Sequence, residues 1–594
     1  MGSVINSKPS MHIPSNLVSR LLLAGLIVTG TLARSQSTDE SLTRVMPDQV
    51  NGRPANWKTA GNVRIGLESG IKSESGNTLL IGTPGQPITL LTGSKDVHLL
   101  MDVMLSPGAD ASLTISGATI RLADNWGQNT TNDRTTGTVL APRAELPSRS
   151  VGKAPGLWQR IDLSLEAGKN PAVLTQLKIN GVLVQENVVL PGLPASAAGS
   201  VMLDVKAGTV AIRNVSYQLI SDRQVARLSN LRYQFYEAKT ETTEPAAIKN
   251  LKLFKEDTLN ALTYEIAYGQ PRWHAILYTG NLIVDKTGTY TLTLQHGGFG
   301  SLEIDQKPVL ANSRMDLGEL KSTRLNLTAG SHPFTLFFGR SWPRPGFGLF
   351  IAAPDTKPQA LHTTSSLPEP DPVGAINVAV QNEPVLIRSF IQLPDENRKR
   401  THCLSVGTPS GLNYTVDLNQ NALMQVWKGA FADATQMWYE RGEPQLLEPP
   451  GAPIRTAPQP LVAQLNNAQQ AWPDSLSDTD LRYGGYKLDP QGNPTMRYTY
   501  RGTAITDALI PNADGKSLNR TVTVNATGND PLYCRLASGK AIDEVGKGLY
   551  AIDDHSYYVR LDPKQKVSVR TVNGKQELVM PLKGAQTINY ALIW

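Results

Sequence analysis

Cysteine is nearly absent from the 594-residue sequence, which contains only Cys403 and Cys534. Neither lies in a CxxC or CxxCH arrangement, so thiol redox chemistry and covalent haem attachment lack their residues. In an oxidising compartment one disulfide between them would close a long loop in the C-terminal third. Two separate buried thiols explain the same pair, and the sequence leaves both alternatives open.

Motifs that hold common cofactors are also missing. The sequence has no HExxH metal site, no P-loop, no glycine fingerprint of a dinucleotide-binding fold and no GxSxG nucleophile elbow. Its 8 histidines are scattered, and none pairs with another at metal-ligand spacing. We therefore identify no cofactor from the sequence, while a divalent metal stays open.

No apolar run is long enough to be an ordinary membrane helix. The run Leu21–Ala33 is shorter than the ~20 apolar residues that span a bilayer. It follows a polar stretch in which Lys8 and Arg20 are the charged residues, and it ends in small residues that a signal peptidase reads. This order predicts a signal peptide over 1–33, and so an exported bacterial protein that is periplasmic, at the cell surface or secreted. A retained membrane anchor is the alternative.

Charge of one sign is not concentrated anywhere in the chain. The 57 Lys and Arg against 51 Asp and Glu give a formal net charge of +6. No dense Lys/Arg cluster is interleaved with aromatic residues, so nucleic acid is not an expected partner. A dispersed charge of this size is typical of a soluble protein.

Glycine and proline, in contrast, are abundant. Along most of the chain they separate short runs of β-branched residues. The sequence has 50 Gly and 40 Pro. Many short strands separated by turn signals are typical of sandwiches and barrels, so we predict an all-β protein. The best helical candidate is Thr456–Ala471, although it contains proline. The clearest strand candidates are Thr89–Thr92, His98–Leu105, Ser112–Leu122, Gln159–Leu165 and Gln176–Val184.

A chain of this length exceeds one hydrophobic core, and its composition predicts several domains. A first β domain covers 34–222 and a second covers 228–355. The Pro/Ser/Thr-rich stretch 356–372 reads as a linker. A further β-rich region covers 373–594.

Three tryptophans of the first domain, Trp57, Trp126 and Trp158, lie near predicted loops or strand ends. Exposed aromatic rings beside polar loops commonly hold sugars by stacking on the apolar ring face. Trp126 and Trp158 are therefore candidate substrate-binding residues. The alternative for each tryptophan is a place in the core.

Several segments of this domain together carry a family resemblance. They are DVHLLMDVMLSPGADASL (96–113), GLWQRIDL (156–163), KINGVLVQENVVLPG (178–192) and VAIRNVSYQLI (210–220). Their order is similar to the 3-keto-disaccharide hydrolase family, which is common among exported bacterial proteins. The resemblance implies a concanavalin-like jelly roll, related in shape to family-sixteen glycosidases.

The family usually carries a Tyr-Glu-Val-Gln-(apolar)₂-Asp strand at its site, and the corresponding residues here are altered. Thr119 and Arg121 stand at the Glu and Gln positions, while Asp124 is kept. The resemblance implies Asp124 as the catalytic candidate, although glycoside cleavage generally uses two placed carboxylates. Arg121 beside Asp124 would hold that carboxylate ionised, which suits binding better than acid catalysis.

The second domain contains alternating segments at 276–310 and 331–351. With Trp273, Gly280 and Leu327–Pro333 they resemble the protective-antigen-type lectin domain, a β-barrel. Sugar-binding members often hold calcium through two adjacent acids before a strand. The corresponding stretch here, Gln295-His296-Gly297-Gly298, has none, although Asp305 follows, and calcium prefers carboxylates. A structural spacer is the alternative to a sugar-binding domain.

The third region is rich in aromatic and charged residues at 411–451 and resembles a β-sandwich-type module of exported cytochromes and sugar-oxidation proteins. If its patch binds sugar, Trp438 would stack, Asp433 and Glu440 would accept hydroxyl protons, and Arg441 would donate. A core tryptophan pair with a surface salt bridge is the alternative. The patch comprises Trp427, Phe431, Asp433, Trp438, Tyr439, Glu440 and Arg441.

These observations predict an exported carbohydrate-active protein built from a jelly roll, a lectin-like barrel and a C-terminal β-sandwich. The first hypothesis is a glycoside hydrolase of the 3-keto-disaccharide type with an altered site strand. The second is a non-catalytic glycan-binding or scaffold protein of the envelope. Either takes an oligo- or polysaccharide as partner, and an envelope protein, such as a redox protein, is a further expected partner.

Overall fold

The computed structural model describes residues 42–594 apart from 51, 69, 95, 169–170, 193–198, 371, 395, 440–443, 468 and 527–530. The protein is 56% strand and 4% helix, which confirms the predicted all-β fold class. The described residues divide into two compact units. One unit combines 42–219 with 374–594, and the other contains 220–373. The predicted signal peptide, 1–33, lies outside the described residues.

Residues 42–219 form a sandwich of two antiparallel sheets. Its strands are β1 Thr43–Arg44, β2 Trp57–Ile65, β3 Ile71–Gly82, β4 Ile88–Ser94, β5 Asp96–Leu105, β6 Asp110–Ile115, β7 Ala118–Ala123, β8 Val139–Ala141, β9 Trp158–Glu166, β10 Ala172–Ile179, β11 Val182–Leu190, β12 Gly199–Ala207 and β13 Val210–Leu219, with a 3₁₀ helix at Pro47–Gln49. The long sheet has the order β11-β10-β9-β5-β13-β3-β2, with β1 paired to β13. The short sheet has the order β4-β12-β6-β7-β8. Inward side chains of both sheets share one hydrophobic core.

The β6–β7 hairpin shows how local sequence sets this architecture. Residues Ser116 and Gly117 both have positive φ, +48° and +91°, which is the geometry of a tight two-residue hairpin turn. The predicted single strand Ser112–Leu122 is therefore wrong in this detail, because the turn divides it into two paired strands. The alternating burial of both strands matches the period-two pattern of a half-buried sheet.

The second unit, 220–373, contains two further antiparallel sheets. Its strands are β14 Ala226–Glu237, β15 Lys252–Thr258, β16 His274–Val284, β17 Gly288–His296, β18 Gly298–Ile304, β19 Lys307–Met315, β20 Lys321–Leu327, β21 Gly330–Gly339, β22 Phe347–Ala352 and β23 Gln359–Ala360, with 3₁₀ helices at Pro245–Asn250, Glu265–Ala267 and Thr364–Ser366. The sheet orders are β15-β14-β16-β21-β18-β19 and β20-β17-β22-β23. Part of the segment predicted as a linker belongs to this unit, because β23 pairs with β22 and Thr363 donates its N–H to Leu262 O.

The regular elements of residues 374–594 are again almost all strands, with one short helix among those described. The elements are β24 Asn377–Val378, β25 Val385–Ile391, β26 Arg400–Gly407, β27 Leu412–Asp417, β28 Ala422–Lys428, β29 Ala432–Asp433, α1 Thr435–Trp438, β30 Ile454–Arg455, β31 Val462–Gln464, β32 Leu481–Leu488, β33 Pro494–Tyr500, β34 Thr503–Pro511, β35 Leu518–Asn525, β36 Leu532–Gly539, β37 Ile542–Gly546, β38 Leu549–Ile552, β39 Tyr557–Leu561, β40 Ser568–Val572, β41 Lys575–Leu582 and β42 Ala585–Ile593. Four sheets result, β24-β29, β25-β26-β27-β28-β30, β31-β36-β41-β40 and β32-β33-β34-β35-β42-β39-β38-β37, within the described residues.

The predicted helix over Thr456–Ala471 is wrong. Its centre is the short strand β31, which pairs with β36. Pro458 and Pro460 precede that strand, and proline removes the N–H donors that a helix interior needs. Among the described residues no helix is long and apolar enough to cross a membrane.

The sandwich and the C-terminal region pack together inside their common unit. Leu67, Ala154 and Leu157 of the sandwich belong to the hydrophobic cluster that forms the C-terminal core. At the same place the Tyr558 hydroxyl donates to Pro155 O at 3.0 Å. The backbone N–H of Trp158 donates to His555 O at 3.2 Å. The start of β9 and the loop before it are thereby in contact with the C-terminal region.

Both cysteines are buried free thiols. Cys403 lies on β26 and Cys534 on β36, and the two belong to different hydrophobic clusters. Burial raises the pKa of both thiols well above the usual range. The disulfide alternative is therefore not formed, because each side chain is packed into its own apolar surroundings.

Candidate functional site

The strand that the sequence resemblance predicts as the site strand is β7, which lies between β6 and β8 in the short sheet. Ala118, Ile120 and Leu122 point into the core, while Thr119 and Arg121 are partly exposed on the opposite face. This arrangement follows from the alternation of side chains along a strand. The altered positions of the family pattern thus lie on one accessible face.

That face, here named the polar face, consists of Asp110, Ser112, Thr114, Thr119, Arg121 and Asp204. The strand register places these side chains in rows across the sheet. Asp204 on β12 lies opposite Ser112 on β6, which in turn lies opposite Arg121 on β7. In the next row, the Oγ1 atoms of Thr114 and Thr119 are 3.1 Å apart and share a hydrogen bond. The polar face therefore combines hydroxyls with one guanidinium and two carboxylates.

Arg121 forms its ion pair with Asp110 and not with Asp124. Its Nε and Nη2 donate to the two carboxylate oxygens of Asp110, at 2.8 and 2.5 Å, in a bidentate pair. Its Nη1 donates to the backbone oxygen of Asp133 at 2.9 Å. The hydrogen bond to Asp110 raises the pKa of Arg121 further. The expectation that Arg121 would hold Asp124 is wrong, because the hairpin brings Asp110 within diagonal reach on the same face.

Asp124 follows the end of β7 and organises the chain around it. Its Oδ2 accepts the N–H of Gly108 at 2.9 Å, and its Oδ1 accepts the N–H of Trp126 at 3.1 Å. Its own N–H donates to Ala109 O. The carboxylate thus fixes two loops at the end of the β6–β7 hairpin, which is a structural use of the predicted catalytic residue.

Trp126 packs against the hydrophobic core of the C-terminal region. The Nζ of Lys516 lies 4.9 Å from the centre of its ring, so one ring face is occupied by a cation. Burial and the charge of Lys516 lower the pKa of nearby Lys428 to about 8. Trp126 therefore joins two parts of one unit, and this contact argues against a sugar-stacking role.

Trp158, the other predicted stacking residue of the sandwich, begins β9 in the long sheet and is buried. The guanidinium of Arg213 lies 4.0 Å above its ring centre. Trp57 is buried as well and donates from Nε1 to Gln86 O. Neither ring is open to a ligand, so the core alternative holds for both.

The C-terminal patch is split between core and surface. Trp427 and Phe431 are buried and stack with ring centres 6.1 Å apart. Trp438, at the end of α1, is 52% exposed, and Tyr439 beside it is 43% exposed. Glu440 and Arg441, the remaining charged members of the predicted site, lie outside the described residues.

Asp433 turns the chain into α1. Its Oδ1 accepts both the N–H and the hydroxyl of Thr435, at 2.8 and 2.5 Å. Its backbone also pairs with Glu448, which the sequence reasoning did not single out. Burial, and then the charge of Asp433, raise the pKa of the Glu448 carboxyl. Two carboxylates therefore adjoin each other near the exposed Trp438.

The structure brings only some of the predicted residues together. Arg121, Asp124 and Trp126 adjoin one another at the end of β7, whereas Trp158 begins a strand of the other sheet. The polar residues that share the face with Arg121 were missed, and a period-two reading of Asp110–Ile115 would have found those on β6.

In the part of the chain that is described, no group of three or more His, Cys, Asp or Glu side chains could hold a metal ion. Asp305, the acid left open as a metal ligand, instead contacts His332 Nδ1 at 2.7 Å.

Comparison with known families supports the resemblance of the first domain. Residues 50–218 match the model of the 3-keto-alpha-glucoside-1,2-lyase-like domain. This match confirms the N-terminal part of the predicted resemblance and covers the polar face and β7. A search among curated proteins found no match.

Solved structures show weak likenesses. An inferred glycosyl hydrolase from Parabacteroides distasonis shares 12% identity over 33% of this chain and 99% of its own, with a TM-score of 0.22. The epithelial adhesin 9 A domain from Candida glabrata, solved with Galb1-3GlcNAc, shares 12% identity over 23% of this chain and 90% of its own, with a TM-score of 0.19. A beta-glucosidase from Kluyveromyces marxianus shares 18% identity over 21% of this chain, with a TM-score of 0.17, and the match spans only 15% of that enzyme. Similarity at this level does not define a shared fold.

Proposed function

We propose that this protein is an exported carbohydrate-active protein that binds an oligo- or polysaccharide on the polar face of its sandwich without cleaving it there. One observation carries the proposal. Arg121, at the position of a family amide, closes a bidentate pair with Asp110. Both oxygens of Asp124 are likewise engaged by backbone N–H groups.

The composition of the polar face suits a ligand rich in hydroxyl groups. Ser112, Thr114 and Thr119 each supply a hydroxyl that donates or accepts a hydrogen bond. Asp204 adds a carboxylate, which also contacts Lys206 Nζ. A few placed polar groups commonly fix the orientation of a bound ligand. A sugar hydroxyl can donate to or accept from these side chains, as the hydroxyls of Thr114 and Thr119 do with each other.

The same residues argue against glycoside hydrolysis at this face. Hydrolysis generally uses one carboxyl group to protonate the leaving oxygen and a second to act as nucleophile or base. Asp110, which pairs with Arg121, and Asp124, which follows β7, have their oxygens engaged by the contacts that hold the hairpin and its loops. Using either acid for catalysis would first break those contacts.

Cleavage of a 3-keto glucoside is the second candidate, and the family match itself favours it. A ketone at C3 acidifies the proton at C2, so elimination across C1 and C2 needs one base and no second carboxylate. In this mechanism Asp124 takes the C2 proton, a C1–C2 double bond forms and the C1–O bond breaks. The departing alkoxide takes a proton from water, and the hydroxide so formed takes the proton from Asp124 and restores the carboxylate. The Asp124→Asn variant tests the candidate, because an undiminished rate removes this residue from the mechanism.

Export, the lectin character of 220–373 and an envelope protein partner remain parts of the proposal. The apolar run Leu21–Ala33 supports export to the periplasm, the cell surface or the medium. A non-catalytic glycan-binding protein of the envelope fits these features together. Protease accessibility of the protein on intact cells, compared with lysed cells, distinguishes the three destinations.

Binding of a panel of oligosaccharides to the purified protein, measured by calorimetry, tests the polar face. Arg121→Gln is expected to weaken binding about tenfold or more, because it removes the guanidinium of the polar face and leaves Asp110 without its partner, and a charged hydrogen bond contributes about 1.5–3 kcal/mol. Ser112→Ala and Thr119→Ala are milder variants that keep the Arg121–Asp110 pair.

Arg160→Gln is the matched control. Arg160 also pairs with an aspartate, Asp102 at 3.1 Å, but it lies on the long sheet. Equal loss of binding in Arg121→Gln and Arg160→Gln, or unchanged binding in all three polar-face variants, would place the glycan elsewhere.

A further inference from the structure

The second unit contains a cavity of about 430 Å³ formed by the ends of two neighbouring strands. The segment that precedes β16 provides one wall, from Tyr264 to His274. The segment that follows β21 provides the other, from Arg340 to Pro345, and Pro368 closes one side. A cavity of this size falls in the range of small-ligand sites, which runs from about 300 to 1,000 Å³.

Positive charge dominates this cavity. Three arginines line it, Arg272, Arg340 and Arg344, and none of its described lining residues is acidic. Burial, together with the charge of Arg272, lowers the pKa of Arg340. The charge of Arg272 opposes that of Arg340, while the carboxylate of Glu241 favours it. A bound anion would add a further favourable charge beside Arg272 and Arg340.

Two of the arginines are held in place by their neighbours. The guanidinium of Arg272 lies 5.0 Å from the ring centre of Trp273 and 4.6 Å from that of Trp342. The two tryptophan rings meet edge to face at 5.3 Å. The Nη1 of Arg340 donates to Pro343 O at 2.6 Å. A guanidinium held in this way loses little side-chain entropy when it binds an anion.

Neutral polar groups complete the wall beside the arginines. The Nδ1 of His274 lies 2.8 Å from Pro271 O, to which it donates, so its Nε2 accepts the hydroxyl of Tyr264 at 3.1 Å. Burial lowers the pKa of His274 to about 4. The imidazole is therefore neutral at physiological pH, and it adds no charge to the arginine cluster.

Aromatic rings lie exposed around the arginines. Tyr268, which lines the cavity, is 56% exposed, and Trp342, against which Arg272 packs, is 65% exposed. Large exposed rings beside a polar cavity are typical of sites that stack a sugar ring. An inorganic anion would use the arginines alone, whereas an acidic sugar would use the arginines and the rings.

We propose that this cavity binds the carboxylate group of an acidic saccharide, with Arg340 and Arg344 pairing the carboxylate and Tyr268 or Trp342 stacking on the ring. The site is distinct from the polar face of the sandwich and does not rest on it. It would give the protein a preference for uronate-containing glycans.

Calorimetry of the full-length protein with oligogalacturonate, at low and at high salt, tests this proposal. We expect binding that weakens as salt increases and that falls at least tenfold for the fully methyl-esterified oligosaccharide. Arg340→Gln and Arg344→Gln are each expected to weaken binding about ten- to a hundredfold. Arg324→Gln, an exposed arginine on β20 of the same unit, is the matched control and should bind as the parent does.

Three results would overturn the proposal. The first is equal binding of the acidic and the esterified oligosaccharide. The second is binding of inorganic phosphate as strong as that of oligogalacturonate, which would make the cavity a simple anion site. The third is equal loss in the Arg344→Gln and Arg324→Gln variants. The Arg121→Gln variant, which alters the polar face, keeps failure of this site distinguishable from failure of the proposed function.

Discussion

Arg121 illustrates how one residue changes the chemistry of a surface. The family resemblance leads us to expect an amide at its position, which can donate and accept, whereas a guanidinium only donates. It therefore requires an acceptor, and Asp110 on the neighbouring strand supplies two oxygens. The pair removes a carboxylate from catalytic use while it leaves the surrounding hydroxyls accessible. Under the proposed function, this one position favours binding over cleavage.

Two buried histidines are expected to make the free energy of unfolding depend on pH. Burial lowers the pKa of His274 and of His296 from 6.5 to about 4. Tyr264 and Arg340 face His274, and Lys321 is the charged group near His296. Between pH 6.5 and 4 these imidazoles stay neutral in the folded protein but take up a proton in the unfolded chain. The unfolded state therefore binds more protons over this range.

We predict that the protein is progressively destabilised as the pH falls from 6.5 towards 4. Each of the two histidines is expected to lower the free energy of unfolding by up to about 3 kcal/mol over this window. Urea unfolding at a series of pH values measures the effect. His296→Gln should flatten the dependence, and His402→Gln, at an exposed histidine, should not. A free energy of unfolding that does not change over this range would contradict the account.

At the scale of elements, the sequence predicted where several strands lie but not which strands pair with each other. The predicted strands His98–Leu105 and Gln159–Leu165 agree with β5 and β9 to within two residues. Period-two alternation and flanking turn residues act locally, so a single sequence carries them. The helix predicted at 456–471 is wrong for the converse reason. The strand β31 that lies there pairs with β36, which is distant in sequence, and local pattern does not report such a pairing.

The candidate site was harder to predict than the strands for the same reason. Asp124 and Arg121 were found through the family pattern, but the partner of Arg121 depends on the register of β6 against β7. The place of Trp126 depends on contact with a region several hundred residues away in sequence. Contacts of this kind between distant segments leave no periodic signal, so the sequence could suggest the residues but not their roles.

A buried ion pair joins three strands of the largest C-terminal sheet. Arg520 on β35 donates from Nε and Nη2 to Asp507 on β34, at 2.9 and 2.7 Å. Its Nη1 donates to the hydroxyl of Tyr590 on β42 at 3.1 Å. The two charged side chains are 4% and 0% exposed, so water cannot replace a lost partner.

We predict that Asp507→Asn lowers the free energy of unfolding by about 3–5 kcal/mol, because it leaves the Arg520 charge buried and unpaired. Urea unfolding of the full-length protein is the measurement. Asp480→Asn is the control, since Asp480 pairs with Arg501 at the surface, and it should change stability far less. Similar losses in the two variants would mean that burial does not determine the contribution of the pair.

At the scale of the whole molecule, the sandwich and the C-terminal region form one compact unit. Gly156 lies at the contact between them with a φ of +77°, and a Cβ there would overlap the oxygens of Ile65 and Tyr558. The His555 ring also reaches this point, because its Nδ1 donates to Gly156 O at 3.0 Å. The glycine is required both by its backbone angle and by the closeness of the two regions.

We predict that Gly156→Ala destabilises the protein by about 2–4 kcal/mol through backbone strain and overpacking. Gly181→Ala is the matched control, because Gly181 has a similar φ of +83° but open space around it. Backbone strain alone should cost about 1–2 kcal/mol there. Urea unfolding with limited proteolysis compares the two. Equal losses would show that the contact between the two regions contributes nothing.

The central claim is that the polar face binds glycan and does not cleave it. The most direct test incubates the purified protein with 3-keto and ordinary disaccharides, with and without divalent metal, and follows product formation. The account predicts no product from any sugar, alongside binding that depends on Arg121. Product formed from the keto sugars, and abolished in Asp124→Asn, would contradict it and establish an enzyme.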